Sequence, residues 1–175
     1  MAWILLTYKL PSGESRARVA VWREVRRSGA LHLQQSVVAF PATDQFREAV
    51  ARFREVVDGV GGETLVFQGE PLLGADGARL TDAWNEARDA EYGELIAVCE
   101  KFLAEIEHEF EIEKFTLAEL EEEESEFEKL QRWHGRITVR DACGAPRATE
   151  AAEALERASE AFERYSAAVF DRTQP

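Results

Sequence analysis

The sequence of 175 residues has few of the residues that carry enzyme or metal chemistry. It contains two cysteines and three histidines. Cys99 and Cys143 form no CxxC pair, which argues against a disulfide framework and favours a reducing compartment. His32, His108 and His134 show neither HxH nor HExxH spacing, so the sequence predicts no histidine metal site. No catalytic signature, glycine-rich phosphate loop or cofactor motif is present, and we therefore predict a non-enzymatic protein without a cofactor.

Long hydrophobic runs are also missing. The apolar stretch nearest the N-terminus, Trp3–Leu6, is too short for a signal peptide or a membrane span. The residues before it lack a basic region and a cleavage site. These features predict a cytoplasmic protein that does not contact a membrane.

Positive charge is scarce over the whole chain but not at its beginning. The formal net charge is -13, which argues against non-specific binding to nucleic acid. Residues 1–60 nevertheless carry nine basic and six acidic side chains, a net charge of +3, and the remainder carries −16. The basic first third leaves contact with DNA open, and the acidic remainder favours exposed helices.

The apolar pattern of the first 72 residues predicts an α+β domain. Trp3–Leu10 is typical of a buried strand, and a helix is expected from Ser15, as N-cap, to about Ser28, closed by Gly29. The pattern then predicts strands within Leu31–Phe40 joined by a tight turn at residues 34–36, a helix from about Asp44 to Val60, and a strand at Glu63–Gln68. This β-α-β-β-α-β order matches a ferredoxin-like domain, in which helices cover one face of an antiparallel sheet.

The first helix is predicted to be amphipathic, with arginines on its outer side. Its buried side would hold Ala17, Val21, Trp22 and Val25, and the buried side of the second helix would hold Phe46, Val50, Phe53 and Val57. We call the opposite side of the first helix the Arg face; it consists of Arg16, Arg23, Arg26 and Arg27. Guanidinium groups suit phosphate and other oxyanions, although charged helix faces are more often simply solvated.

After a loop predicted at Leu72–Gly77, three helices with packed faces are expected. Their ranges are Leu80–Phe115, Leu117 to about Val139, and Thr149–Phe170. The break at residues 144–146 favours an antiparallel arrangement of three helices. The sequence thus predicts two domains, a ferredoxin-like domain over residues 1–72 and a helical extension over residues 78–172.

Polar residues of the helical part form a second candidate site. Arg88 and Tyr92 lie on one helical turn, and Arg136 and Arg140 lie one turn apart on the next helix. Packing of the two helices could bring them together as a polar pocket lined by these four residues. The alternative is a structural role, in which Arg140 and Asp141 form a buried ion pair.

The remaining polar candidates are an acidic run and one cysteine. Residues 121–128 carry six glutamates that are spread around a helix, so a solvated face is predicted rather than a metal site. Cys99 lies on an apolar face and is expected in the core. Cys143 lies in a loop beside Arg140 and is the one candidate for a reactive thiol, although free cysteines mostly fill structural positions.

Several short motifs resemble the N-terminal domain of ChrB, a regulator associated with bacterial chromate resistance. The matching residues in the first part are Trp3–Leu6, Tyr8, Pro11, Val21–Arg23, Gly29-Ala30, Leu33-Gln34, Val37 and Pro41. Two later pieces, residues 88–92 and Arg140-Asp141 followed by Gly144, are also similar to this family. The resemblance implies a cytoplasmic regulatory protein of a chromate or other oxyanion response. Longer family members carry a second, C-terminal domain, which would be absent from a chain ending at Pro175.

Three functional hypotheses follow. The first is a ChrB-like regulator that binds an oxyanion such as chromate, or operator DNA, through its arginines. The second is an interaction module whose acidic helices dock a basic partner or a second copy of the chain as a homodimer. The third is a reductase that uses Cys143 against chromate.

Overall fold

The structure, a computed structural model, describes residues 1–13, 15–70 and 74–173. It divides into two compact units, Met1–Trp84 and Asn85–Pro175. We call them the sheet unit and the helical unit. The predicted loop Leu72–Gly77 falls partly on residues 71–73, which lie outside the described residues, and its last two residues are helical.

The sheet unit has the predicted ferredoxin-like order. Its elements are β1 (Trp3–Lys9), α1 (Ser15–Ser28), β2 (Leu31–Gln34), β3 (Val37–Pro41), α2 (Asp44–Gly59) and β4 (Glu63–Gly69). The strands lie in the order β2-β3-β1-β4, and all neighbours are antiparallel. The fold class predicted from the sequence is therefore confirmed.

Strand register places the sheet core on one face. Ile4 pairs with Phe40 and Leu6 pairs with Val38, and all four side chains are buried. Since alternate residues of a strand point to opposite faces, these pairs form a single apolar surface. The four residues predicted for the buried side of α2 (Phe46, Val50, Phe53 and Val57) are all buried as well.

Two turns form where the sequence predicts them, and each contains a residue with a left-handed backbone. Gly29 has φ of 67° directly after α1, a conformation that glycine adopts without strain. Ser36 has φ of 64° in the turn between β2 and β3. The predicted helix end and hairpin turn are thus confirmed.

An aromatic cluster completes the sheet unit. The ring of Trp84 makes edge-to-face contacts with Trp3, at 6.0 Å between centroids, and with Phe46, at 5.2 Å. Trp84 is fully buried. Packed edge-to-face rings add to the stabilisation from burial, so these three side chains anchor the end of the sheet unit.

The helical unit is built from three long helices, as predicted. Their ranges are α3 (Asp76–Glu111), whose first residues belong to the sheet unit, α4 (Leu117–Arg140) and α5 (Ala148–Thr173). Phe102 of α3 stacks on Phe127 of α4, and Phe127 stacks in turn on Phe162 of α5. Near the start of the part of α3 that lies in the helical unit, the Tyr92 hydroxyl donates a hydrogen bond to Asp141, which directly follows α4. Phe115, which precedes α4, contacts the ring of Tyr165 toward the end of α5. Helix α4 therefore runs antiparallel to α3 and α5.

Small residues let α5 pack closely in this bundle. Its buried positions are Ala151, Ala154, Ala158, Ala161, Tyr165 and Val169, at spacings of three and four residues. Four alanines in such a row allow neighbouring helices to approach without a steric clash. The buried stripe of α3 follows Leu95, Cys99, Phe102 and Ile106, and it leaves Val98 and Phe110 each 37% exposed.

Candidate functional site

The rotation of α1 decides which residues of the Arg face reach the surface. Its buried residues are Ala17, Val21, Glu24 and Ser28, which recur at spacings of four, three and four. This narrow stripe faces the sheet unit's core and turns the opposite side of the helix outward. Arg16, Arg23, Arg26 and Arg27 are all exposed.

Three of these arginines are free to meet a partner. Within the described part of the chain, Arg16, Arg23 and Arg26 make no hydrogen bond or ion pair with another side chain. Arg27 differs, because its Nη2 lies 2.6 Å from a carboxylate oxygen of Glu24. Glu24 is buried, so removal of Arg27 would leave a desolvated carboxylate without its ion-pair partner at the edge of the core. The structure thus gives Arg27 a structural contact that the other three arginines lack.

Trp22 was predicted on the buried side of α1, and this prediction is wrong. The side chain is 60% exposed, and the guanidinium carbon of Arg26 lies 5.8 Å from the centre of its ring. The buried stripe passes through Glu24 instead, one residue away from the apolar positions that the pattern favoured. An exposed indole beside arginines is a surface that nucleic acids and proteins both recognise.

The second candidate site is a corner of the helical unit where residues 88–92 meet Arg140 and Asp141. We call it the polar corner. Arg88 of α3 is 3% exposed and its Nη2 donates to Glu91 at 2.9 Å. Arg140 of α4 donates to the other oxygen of the same carboxylate at 2.5 Å. Burial lowers the pKa of Arg88, and the Glu91 carboxylate opposes that shift. Glu91 therefore joins two guanidinium groups from different helices.

Asp141 forms the other half of this corner. The Tyr92 hydroxyl lies 3.3 Å from Asp141 Oδ2, and Asp141 Oδ1 accepts from the backbone N–H groups of Gly144, at 2.9 Å, and Ala145, at 3.0 Å. Burial raises the pKa of Tyr92, so the hydroxyl keeps its proton and can donate it. Asp141 thus fixes the connection between α4 and α5 and ties it to α3.

A backbone contact adds α5 to the same corner. The N–H of Arg147, just before α5, donates to Asp89 Oδ1 at 2.8 Å. Gly93 lies beside it, where an added Cβ would meet Arg147 Nη1 at 2.3 Å. Glycine at this position lets the guanidinium lie against α3. The corner links three helices through charged and polar contacts.

The sequence grouped Arg88, Tyr92, Arg136 and Arg140 as one polar pocket. Arg88, Tyr92 and Arg140 do meet at the corner, but Arg136 is exposed and makes no ion pair or hydrogen bond among the described residues. Glu91, which was not among the predicted site residues, pairs with the buried Arg88 and with the half-buried Arg140. Its position three residues after Arg88 was the available signal, since that spacing places both on one side of a helix.

The two cysteines occupy the environments of structural thiols. Cys99 is buried in the helical core, as predicted. Cys143 is half-buried, and burial raises the pKa of its thiol, with the Asp141 carboxylate adding to the shift. A raised pKa lowers the fraction of thiolate, which is the reactive form. This environment does not favour the redox role considered for Cys143.

The described part of the chain contains neither a clustered metal site nor a membrane-spanning helix. No group of three or more His, Cys, Asp or Glu side chains in ranges 1–13, 15–70 and 74–173 is arranged to hold a metal ion. Across those same ranges, every helix is too polar or too short to cross a bilayer.

Comparison with known protein families identifies a family to which the sequence is similar. Residues 18–175 match the model of the family described as Protein ChrB, N-terminal, and the match spans nearly all of the chain. No curated protein matches the sequence. The matched range includes most of α1 and all of the polar corner. This chain therefore belongs to the ChrB N-terminal family, which associates it with chromate resistance.

Proposed function

We propose that this protein is a non-enzymatic regulator in a chromate or other oxyanion resistance response, and that it contacts operator DNA through α1. Family membership supports the association with resistance. The exposed arginines Arg16, Arg23 and Arg26 of α1, which form no ion pair with any other described residue, support the DNA contact. They are the single observation that favours this function over a purely structural one.

The Arg face suits a phosphate backbone better than the polar corner does. At the corner, both guanidinium groups are already bound to Glu91, and Arg88 is buried. On α1, Arg16, Arg23 and Arg26 keep their donors directed to solvent. Binding of an anion at the corner would have to displace a carboxylate, whereas binding at α1 displaces only water and counterions.

Trp22 extends this surface beyond charge alone. Its exposed ring lies near the guanidinium group of Arg26. Indole rings stack on bases and sugars, and buried tryptophans often dominate the energy of an interface. Trp22 therefore adds an apolar contact next to Arg26, at one edge of the Arg face.

Fluorescence anisotropy with a labelled duplex tests this proposal. The duplex covers the region upstream of the protein's own gene, and a shuffled duplex serves as the sequence control. We expect the Arg16→Ala/Arg23→Ala/Arg26→Ala variant to bind at least about tenfold more weakly, since three phosphate contacts are lost.

A matched variant controls for net charge. Arg52→Ala/Arg132→Ala/Arg164→Ala removes the same charge from exposed positions on α2, α4 and α5. It should change the affinity by less than about threefold, because these arginines are scattered. Equal weakening by both variants, or no binding by the wild type, would contradict the proposed DNA surface.

An oxyanion site at Arg88, Tyr92, Arg136 and Arg140 remains a separate prediction of the sequence. Calorimetric titration with chromate, with sulfate and phosphate as controls, tests it directly. Because Glu91 already pairs with the guanidinium groups of Arg88 and Arg140, we expect no selective binding of chromate at this corner. Selective binding of chromate that is lost in Arg140→Gln would show that the corner, rather than α1, is the functional site.

A further inference from the structure

A groove between α3 and α4 of the helical unit collects carboxylates. The cavity measures about 410 Å³, within the range of small-molecule sites. Six glutamates line it, two from α3 and four from α4. We call this set the acidic groove: Glu105, Glu109, Glu119, Glu122, Glu123 and Glu126.

Only part of this negative charge is balanced by the protein. Lys114 Nζ lies 2.7 Å from Glu119 and 3.8 Å from Glu109, and Lys129 pairs with Glu126 at 2.5 Å. Lys101 also lines the groove. Among the residues that the structure describes, Glu105, Glu122 and Glu123 have no ion pair and no hydrogen bond to their side chains. The groove therefore holds an excess of negative charge.

Two of the carboxylates are buried, which makes this excess costly. Glu109 is 3% exposed and Glu123 is 5% exposed. Glu109 Oε2 has no hydrogen-bond partner within the described residues. A carboxylate removed from water without a partner destabilises the fold unless a proton or a cation compensates it. Side chains of this kind, directed into a cavity, indicate a missing cationic partner.

The groups around Glu123 are mostly carboxylates, so this side chain lacks a compensating positive charge among the described residues. Burial, the largest cause, and the carboxylates of Glu105, Glu109, Glu122 and Glu119 together raise the pKa of Glu123 to about 7. From α5, the buried Tyr165 faces the same carboxylates, and burial raises its pKa to about 12. Each of these neighbours of Glu123 is negative or neutral near pH 7. Lys114, which lines the same groove, already pairs with Glu109 and Glu119.

The shape of the groove selects among cations. Its carboxylates do not converge on one point, since no three of them within the described chain are arranged to hold a metal ion. They are instead distributed along a groove whose other lining residues are Lys101, Lys114 and an apolar strip of Val98, Phe102 and Leu130. An elongated ligand with separated positive charges and methylene groups between them fits both features.

We propose that the acidic groove binds a linear aliphatic polyamine. Its ammonium groups would pair with Glu105, Glu122 and Glu123, and its methylene groups would lie against the apolar strip. This site is separate from α1, so it stands or falls independently of DNA binding.

Calorimetric titration of the full-length protein with spermidine near pH 7 tests the proposal. We expect binding by the wild type and at least about tenfold weaker binding by Glu105→Gln/Glu123→Gln, because two charge-assisted contacts are lost. Glu121→Gln/Glu124→Gln is the matched control, since both residues are exposed on α4 and do not line the groove. It should change the affinity by less than about threefold.

Proton release provides a second readout. Spermidine binding should ionise Glu123, so titrations in buffers of different ionisation enthalpy should show protons released by the wild type and few by Glu123→Gln. Three outcomes would overturn the proposal: no binding of spermidine, equal weakening by both double variants, or equally tight binding of magnesium at matched ionic strength. Circular dichroism of each variant establishes that it is folded.

Discussion

The two units of this chain use charge in opposite ways. The sheet unit carries ten basic and ten acidic residues, whereas the helical unit carries eleven basic and twenty-four acidic residues and so the entire net charge of -13. The sheet unit buries aromatic rings and leaves its arginines at the surface. The helical unit buries Arg88, Glu109 and Glu123. Among the described residues, Glu24 is the one buried charged side chain of the sheet unit, whereas the helical unit buries three in addition to its exposed charges.

The largest effect is expected from a buried tryptophan of the sheet unit. Trp84→Ala removes a fully buried ring and should lower the free energy of unfolding by about 3–5 kcal/mol. Trp22→Ala removes an exposed ring and should lower it by only about 0.5 kcal/mol. Urea denaturation measures both. Similar losses would contradict the assignment of Trp22 to a surface that serves binding.

The next effect concerns the polar corner of the helical unit. Glu91→Ala leaves Arg88 and Arg140 without their shared carboxylate and should lower the free energy of unfolding by about 3 kcal/mol. Glu94→Ala, an exposed carboxylate on the same helix, should lower it by about 0.5 kcal/mol or less. Chemical denaturation of both variants measures the difference. If Glu91→Ala were as stable as the control, the corner would not be a structural element of the bundle.

A smaller effect, of opposite sign, is expected at Glu123. Its pKa in the folded protein, about 7, lies above its ordinary value of 4.5, so its contribution to stability falls as the pH rises through that interval. Glu123→Gln removes this penalty. The free energy of unfolding of the variant should be higher than that of the wild type by about 2 kcal/mol at about pH 8, and by less at about pH 5.

Thermal and urea unfolding at both pH values measure this gain. Glu121→Gln, at an exposed position of the same helix, should show no such dependence on pH. A gain that stayed constant with pH would contradict the burial of an ionisable carboxylate at Glu123.

The sequence predicted the elements well because apolar spacing depends on local geometry. Strand β1 and helix α1 end within one residue of their predicted limits, and the hairpin turn forms at Gln35-Ser36. The antiparallel bundle was predicted from apolar spacing and one break in the chain. These features need only the periodicity of a helix or strand and residues suited to turns.

The sequence did not predict which charged residues are buried, because that depends on neighbours distant in the chain. Glu123 was assigned to a solvated acidic face, but it lies in the groove between α3 and α4 and is 5% exposed. The same reason explains the wrong prediction for Trp22. Helix α1 buries Glu24, and a charged residue in the buried stripe makes the orientation of the helix impossible to read from apolar spacing alone. Pairs such as Glu91 with Arg140, 49 residues apart, arise only once the helices have packed.

The most direct test of the contrast between the units is the salt dependence of DNA binding. Dissociation constants for the upstream duplex are measured from low to high salt for the wild type and for Arg16→Ala/Arg23→Ala/Arg26→Ala. When the logarithm of the binding constant is plotted against the logarithm of the salt concentration, each phosphate contact contributes about 0.9 to the steepness of the slope. The account predicts that the slope of the variant is shallower by about 2–3. Equal slopes for the two proteins would contradict the claim that the arginines of α1 form the DNA-binding surface.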